Sequence, residues 1–355
     1  MCLLLTLTVQ TAKAQMNEKL SFSGDFRSRI ELDRSSDNSD GTTRDDRDRM
    51  RIRARFGLTY TFSERVSFGM RLRTGNPESA QSPHLTLGDE MSPLPIQLDK
   101  AFAQVRFSGG SAWFGKNSNP FWHQNEMFWD DDVTMEGLSG TYNIGDQLDI
   151  RAGYFILDSP NSNTFSDQAS MLGGQLVYSS GPITGAVGVE KVRENSSVDD
   201  LKLGDLDYLF LKASLFGTFS IGKQDARLGV DVSSNMETYD DALFNHDQTL
   251  GYVLSARIGK SSSAGDWQFE YFYAHIEKYA VIGAFAQDDW LRWGSATTTR
   301  SSNFAGHEGR VVYTLGPKQN LMARLFTVEG IAKEKASSMT LETGTRFRID
   351  WNIGF

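Results

Sequence analysis

Hydrophobic and polar residues alternate with a period of two through almost the whole chain. From Leu20 onward, Leu20, Phe22, Phe26, Ile30 and Leu32 fall on one face of an extended segment, and Ser21, Ser23, Asp25, Arg27, Arg29 and Glu31 fall on the other, because successive strand side chains point to opposite sides. Met50, Ile52, Ala54, Phe56, Leu58, Tyr60 and Phe62 alternate in the same way with Arg49, Arg51, Arg53, Arg55, Gly57, Thr59 and Thr61. A helix would scatter both sets around its circumference, so these are strands. The run from Leu341 to Phe355 repeats the pattern: Leu341, Thr343, Thr345, Phe347, Ile349, Trp351, Ile353 and Phe355 oppose Glu342, Gly344, Arg346, Arg348, Asp350, Asn352 and Gly354.

The same reading predicts strands near 65–74, 96–107, 111–116, 134–144, 147–157, 170–179, 182–192, 206–217, 225–233, 248–260, 266–277, 306–315 and 319–329. That makes about sixteen, an even number, as bacterial transmembrane barrels have. Short turns at Ser63-Glu64, Ser108–Gly110, Gly145-Asp146, Ser180-Gly181, Ser261–Gly265 and Gly316–Lys318 are each followed by a longer polar loop. The expected fold is therefore all-β, an antiparallel transmembrane β-barrel with tight periplasmic turns, long extracellular loops and both termini periplasmic. Tyr60, Phe62, Phe107, Tyr142, Tyr178, Trp267, Trp351 and Phe355 fall near strand ends, where interfacial aromatic girdles belong. A soluble sandwich core is the alternative. The dense charge on the second face and the uniform strand length argue against it.

Composition is consistent with a barrel. The 355 residues are only 39% hydrophobic, and a mean hydropathy of -0.39 would ordinarily indicate a soluble chain. A barrel escapes that inference because only alternate residues need be apolar. No run of roughly 18 apolar residues exists, so a membrane-spanning helix is excluded. With 36 basic and 45 acidic residues and a net charge of -9, the chain does not suit a general nucleic-acid binder, and no nucleic-acid partner is expected. The apolar run from Met1 to Val9, with Ala12-Lys13-Ala14 before Gln15, matches a signal peptide and its small-residue cleavage pattern. Residues 1–14 are read as a removed leader and 15–355 as one barrel domain. The single cysteine, Cys2, lies in that leader, so a mature chain would support neither disulfides nor thiolate chemistry.

Closure places the runs near 341–355, 19–33, 48–62 and 65–74 side by side. Their inward faces would present Arg27, Arg29, Arg49, Arg51, Arg53, Arg55, Arg71, Arg73, Arg346 and Arg348, with Asp25, Glu31, Glu342 and Asp350 interspersed. Such charge needs water, so these arginines are expected to line an aqueous pore. Their planar forks suit carboxylates and phosphates, which points to anion preference. A solvated wall that selects nothing is the alternative. The acidic residues Asp33, Asp37, Asp40, Asp45, Asp46, Asp130, Asp131, Asp132, Asp199, Asp200, Asp240, Asp241, Asp288 and Asp289 are expected in or beside loops, forming an acidic outer rim. Carboxylate clusters can hold hard cations, but solvated loop charge accounts for these, and no metal or cofactor is expected.

The third long loop, 117–134, contains Asn119-Pro120-Phe121-Trp122-His123 and Met127-Phe128-Trp129-Asp130-Asp131-Asp132. So many large apolar groups demand burial. The loop is expected to fold inward and narrow the lumen, with Trp122, Trp129, Asp130, Asp131 and Asp132 across from the arginines, so that a transverse field sorts solutes. A cap at the mouth or a contact between barrels would also bury these groups.

Gly24-Asp25-Phe26-Arg27-Ser28-Arg29, Arg47-Asp48-Arg49-Met50-Arg51-Ile52-Arg53-Ala54-Arg55, Leu72-Arg73-Thr74-Gly75-Asn76 and Leu98-Asp99-Lys100-Ala101-Phe102 resemble the bacterial outer-membrane family called putative porin. So do Gly115-Lys116, Asn119-Pro120-Phe121-Trp122, Trp129-Asp130-Asp131-Asp132 and Glu136-Gly137. The resemblance covers residues 20–145. It implies a passive diffusion channel of about sixteen strands in the outer membrane of a Gram-negative bacterium. Phe102 stands where the pattern has tyrosine, and the three aspartates at 130–132 are more acidic than the pattern demands, so no solute preference is transferred.

The function expected is thus passage of small hydrophilic solutes, with outer-membrane lipid and lipopolysaccharide as surroundings and a homotrimer compatible with the architecture. Two other classes stay open. One is a structural or adhesive barrel plugged by loops 117–133 and 278–305. The other is an outer-membrane hydrolase, for which His84, His123, His246, His275 and His307 lack a recognisable nucleophile or orienting partner. No catalytic residue is assigned.

Overall fold

The computed structural model describes residues 19–158, 168–194, 206–239, 248–290, 301–333 and 338–355. The candidate leader, His246 and Asp199, Asp200, Asp240 and Asp241 lie outside the described residues. The strands are β1 (Leu20–Arg34), β2 (Ser36–Asp37), β3 (Thr43–Arg44), β4 (Arg47–Thr61), β5 (Val66–Thr74), β6 (Leu85–Thr86), β7 (Ile96–Phe107), β8 (Gly110–Ser118), β9 (Thr134–Ile144), β10 (Leu148–Asp158), β11 (Ala169–Ser180), β12 (Ile183–Arg193), β13 (Tyr208–Ile221), β14 (Gln224–Asn235), β15 (Leu250–Gly259), β16 (Trp267–Ile276), β17 (Phe304–Gly316), β18 (Gln319–Gly330) and β19 (Thr343–Gly354).

Without the two-residue strands β2, β3 and β6, these elements form a closed antiparallel barrel of sixteen strands, each paired with its neighbours. The seam is β1 against β19, in register from Asp25 opposite Gly354 to Arg34 opposite Thr345. Closure leaves no unpaired edge, as a lipid-embedded sheet requires. Short turns and long loops segregate to opposite ends. The largest shift among the barrel strands is in β13, which continues past 217 to Ile221 and turns at Gly222, whose φ of 61° suits a residue without Cβ. Phe219 and Ile221 keep the alternation going there. The upper part of β4 outlasts β5, and Arg51 and Ile52 pair instead with β6, in the loop that follows β5.

The burial pattern is inverted relative to a water-soluble protein. Phe114 is 70% exposed and Leu172 62%, whereas Arg29 is 2% and Arg348 1% exposed. In a closed barrel the exposed apolar face is the outer wall, so the alternation seen in sequence sets outward-facing against lumen-facing residues.

Two loops fold into that lumen. Residues 119–133 anchor Phe121, Trp129 and Val133 among Met135, Phe155, Met171, Val192, Tyr208 and Phe210 on the inner wall of β9–β13. Residues 277–290 anchor Ala280, Val281, Ala286 and Trp290 among Phe272, Ile276, Phe304, Phe326 and Val328 of β16–β18. A Cβ at Gly173 would meet the Phe121 ring at 2.3 Å, so that glycine makes room for the first anchor.

Candidate functional site: a charged constriction

Six adjacent strands, β17, β18, β19, β1, β4 and β5, carry most of the lumenal charge. Their inward positions hold thirteen arginines: Arg27, Arg29, Arg47, Arg49, Arg51, Arg53, Arg55, Arg71, Arg73, Arg310, Arg324, Arg346 and Arg348. The same positions hold five carboxylates, those of Asp25, Glu31, Asp33, Glu308 and Asp350. Isolated charges cannot be buried, so each guanidinium that is covered needs a partner. Part of the answer is sharing. Glu31 is contacted by Arg49, by Arg348 at 2.7 Å and by Arg51 at 3.7 Å. Asp33 bridges Arg346 at 2.6 Å and Arg47 at 2.8 Å, and Asp350 takes Arg29 at 2.7 Å.

The rest comes from outside these strands. Asp99 of β7 holds Arg71 at 2.6 Å. Asp132, on the first inserted loop, holds Arg55 at 2.6 Å and Arg53 at 3.5 Å, and its carbonyl accepts a hydrogen bond from Arg73. Asp289, on the second, lies 2.8 Å from Arg324 and 3.4 Å from Arg29 and touches Arg348, while its carbonyl accepts from Arg346. The two loops therefore supply the negative charge that the wall lacks, and the excess of arginine draws them inward.

The loops also hold each other. The Asp130 amide donates to the Phe285 carbonyl at 2.8 Å, and the Trp129 and Phe285 rings lie 5.2 Å apart. Gln81, on the loop after β5, donates to the carbonyls of Gly283 and Ala286. Between wall and loops remains a cavity of about 220 Å³. It is lined by Arg27, Arg53, Arg55, Arg310 and Arg324 from the wall, by Glu126, Asp130, Asp131, Asp132, Asp288 and Asp289 from the loops, and by Gln81, Ser82 and His84.

The environment separates the loop acids. Burial pushes the Asp130 carboxyl well above the usual range, and Glu126, Asp132 and Asp288 push it further. Burial alone would also raise Asp289, but Arg348, Arg29 and Arg324 hold it well below that range. Burial acts against charge on His123, yet the Asp131 carboxylate 2.9 Å from Nε2 more than reverses this and raises the imidazole.

All ten arginines singled out from sequence occupy the inward register, but their surroundings differ. Arg29, Arg346 and Arg348 are buried in ion pairs. Arg27 donates instead to the Asn352 side chain at 2.6 Å. Trp129 is buried between the loops. Trp122 stacks on Phe216 of β13 at 5.8 Å, and Arg227 covers the other ring of that pair, Phe216, at 3.5 Å. The acidic outer rim needs correcting. Asp33 is on β1 facing inward, and Asp130, Asp131, Asp132, Asp288 and Asp289 line the interior cavity. Glu342 falls just before β19, where it pairs with Arg44. His307 and His275 sit on the outer face: His307 is hydrogen-bonded to Tyr271, and His275 is stacked on Tyr252.

Arg310 and Arg324 were not singled out from sequence, and Asp289 was assigned to the outer rim rather than to the interior. The signal was present in Tyr279-Ala280-Val281-Ile282-Gly283-Ala284-Phe285-Ala286, an apolar run inside a loop, which carries the same demand for burial as the tryptophans of 119–133.

Residues 41–170 match the model of a family described as putative porin. A comparison with curated proteins gives no match. Among solved structures the chain is similar to OprB of Pseudomonas putida, with a TM-score of 0.61 at 11% identity, covering 95% of this chain and 94% of that one. It is similar to OmpT of Vibrio cholerae in its trimer form, with a TM-score of 0.54 at 12% identity over 95% and 99%. It is also similar to an anion-selective porin of Comamonas acidovorans, with a TM-score of 0.54 at 11% identity over 95% and 99%. The architecture is that of the bacterial outer-membrane porins.

Proposed function

We propose that this chain is an outer-membrane porin through which small hydrophilic solutes diffuse passively, and that the charged cavity between the arginine wall and the inserted loops is its constriction. The observation that carries this reading is the charged lining of that cavity, to which the wall contributes arginines and the loops carboxylates. A solute crossing it meets a transverse field in a confined, low-dielectric setting, where charge discriminates more strongly than in open water. Preference for anions rests on those arginines that the wall leaves without a carboxylate, Arg27 foremost, and on the excess of arginine over acid in the six strands. The same fold serves the anion-selective porin of Comamonas acidovorans. Residues 117–134 act as the constricting loop in this proposal, and 277–290 act as a second. Residues 1–14 are the export signal, the turns and both termini face the periplasm, and the outer wall meets lipid and lipopolysaccharide. A homotrimer suits the architecture, as in the Vibrio cholerae neighbour.

A second reading, a plugged structural or adhesive barrel, is favoured by the contacts that tie the loops together inside the lumen. Single-channel current from the refolded protein in a planar bilayer under a salt gradient separates the two. Steady conductance with a reversal potential on the anion side is expected. A folded barrel without conductance would put the plugged reading first.

A further inference from the structure

Asp289 is held as a bound ligand would be. Three guanidiniums, from β1, β18 and β19, converge on its carboxylate: Arg324 Nη1 lies 2.8 Å from Oδ2, Arg29 Nη1 lies 3.4 Å from Oδ1, and Arg348 touches Oδ1. The arginines are rigid. Each is at most 4% exposed in its side chain, and each is fixed from behind by a carboxylate of the wall, Asp350 for Arg29, Glu308 for Arg324 and Glu31 for Arg348. Asp289, in contrast, arrives on a loop, and its side chain is 16% exposed toward the constriction. Arg348 meets Asp289 through Nη1, and among the described residues Nη2 of Arg324 is buried without a hydrogen bond, 4.0 Å from a Glu126 carboxylate oxygen. A rigid triad of arginines, lining a solute path and filled by a tethered carboxylate, has the geometry of an anion site occupied by a surrogate.

We propose that Arg29, Arg324 and Arg348 form a binding site for small carboxylates, and that a permeating carboxylate displaces Asp289 and with it loop 277–290. This rests on the channel reading above. The Asp289 side chain is chemically an acetate on a tether, and the tether gives it a high effective concentration. Free carboxylates must therefore compete, and the site is weak in the native chain. Removing the tethered group removes the competitor while leaving the arginines and their supporting acids in place.

The test is the block of chloride current by acetate in planar bilayers at constant ionic strength, for the native chain and for Asp289→Ala. The half-blocking acetate concentration is expected to fall at least about tenfold in the variant, the order of change when an intramolecular competitor is lost. Adding Arg348→Gln should restore it toward the native value. Equal half-blocking concentrations in native and variant channels would overturn the carboxylate site and leave the porin reading standing. Absence of current from both chains, with folding established by heat-modifiable gel mobility, would overturn the porin reading and the site together. Should Asp289→Ala not fold, hydrogen exchange of residues 277–290 in the native protein decides. Faster exchange in acetate than in chloride supports displacement, and identical exchange overturns it.

Discussion

The carboxylate of Asp132 lies 2.6 Å from the Arg55 guanidinium, although the two residues belong to a loop and a strand separated by three other barrel strands. Arg55 is the last of five alternate arginines on β4, and Asp25 on β1 satisfies only part of the positive charge at that height. Asp132 completes it. The pair is partly screened, with side chains 19% and 13% exposed, and it is the polar end of a loop whose apolar end is fixed by Phe121 and Trp129.

Asp132→Asn should therefore loosen one end of the loop without detaching the other. A charge-assisted hydrogen bond contributes about 2 kcal/mol, which corresponds to a roughly 30-fold change in the ratio of docked to undocked loop end. Single-channel records are expected to show a larger mean conductance with added flicker. Removing an acid from the cavity should also move the reversal potential toward anions. Unchanged conductance would mean that the apolar anchors alone hold the loop.

Arg27 isolates charge from loop position. Its Nε donates to Asn352, and among the described residues it forms no ion pair. Arg53→Ser and Arg55→Ser would remove cations but also release Asp25 and Asp132, which mixes two effects. Arg27→Ser should shift the reversal potential toward cations while leaving conductance close to native. A variant with native selectivity would remove Arg27 from the selecting residues and shift the burden to the paired arginines.

Much of this architecture is legible in the sequence, for a physical reason. A strand in a barrel wall has one face in lipid and one in the lumen, so Ile30 and Arg29 or Ile52 and Arg53 must differ in chemistry at every step. Registers follow once the barrel closes, and the ten arginines came together as the alternation placed them. The end of β13 was less legible because Gly217 interrupts the apolar face. Loop conformation has no such period. The inward fold of 119–133 could be argued from its tryptophans, but the meeting of Asp289 with Arg29 and Arg348 joins residues remote in sequence through a loop. Only the apolar run 279–286 hinted at it.

His123 makes the constriction pH-sensitive, and the direction follows from its surroundings. Burial opposes the imidazolium, but Asp131 at 2.9 Å outweighs burial, so the imidazole titrates above its ordinary value of 6.5. Asp131 is shifted the other way: burial would raise it, and the hydrogen bond and charge of His123 bring it below the carboxylate norm. The pair is thus complete below the ordinary histidine value and is lost as pH rises through the raised one. Because it is partly exposed, its loss costs at most about 1 kcal/mol, near fivefold in loop docking. Raising the pH across that window also removes a positive charge from beside the acids. Conductance should rise modestly and anion preference should fall, both reversibly. In His123→Gln, which has no charge to lose, the bilayer titration over the same window should be flat, and a variant that retains the native pH profile would assign the transition to another group.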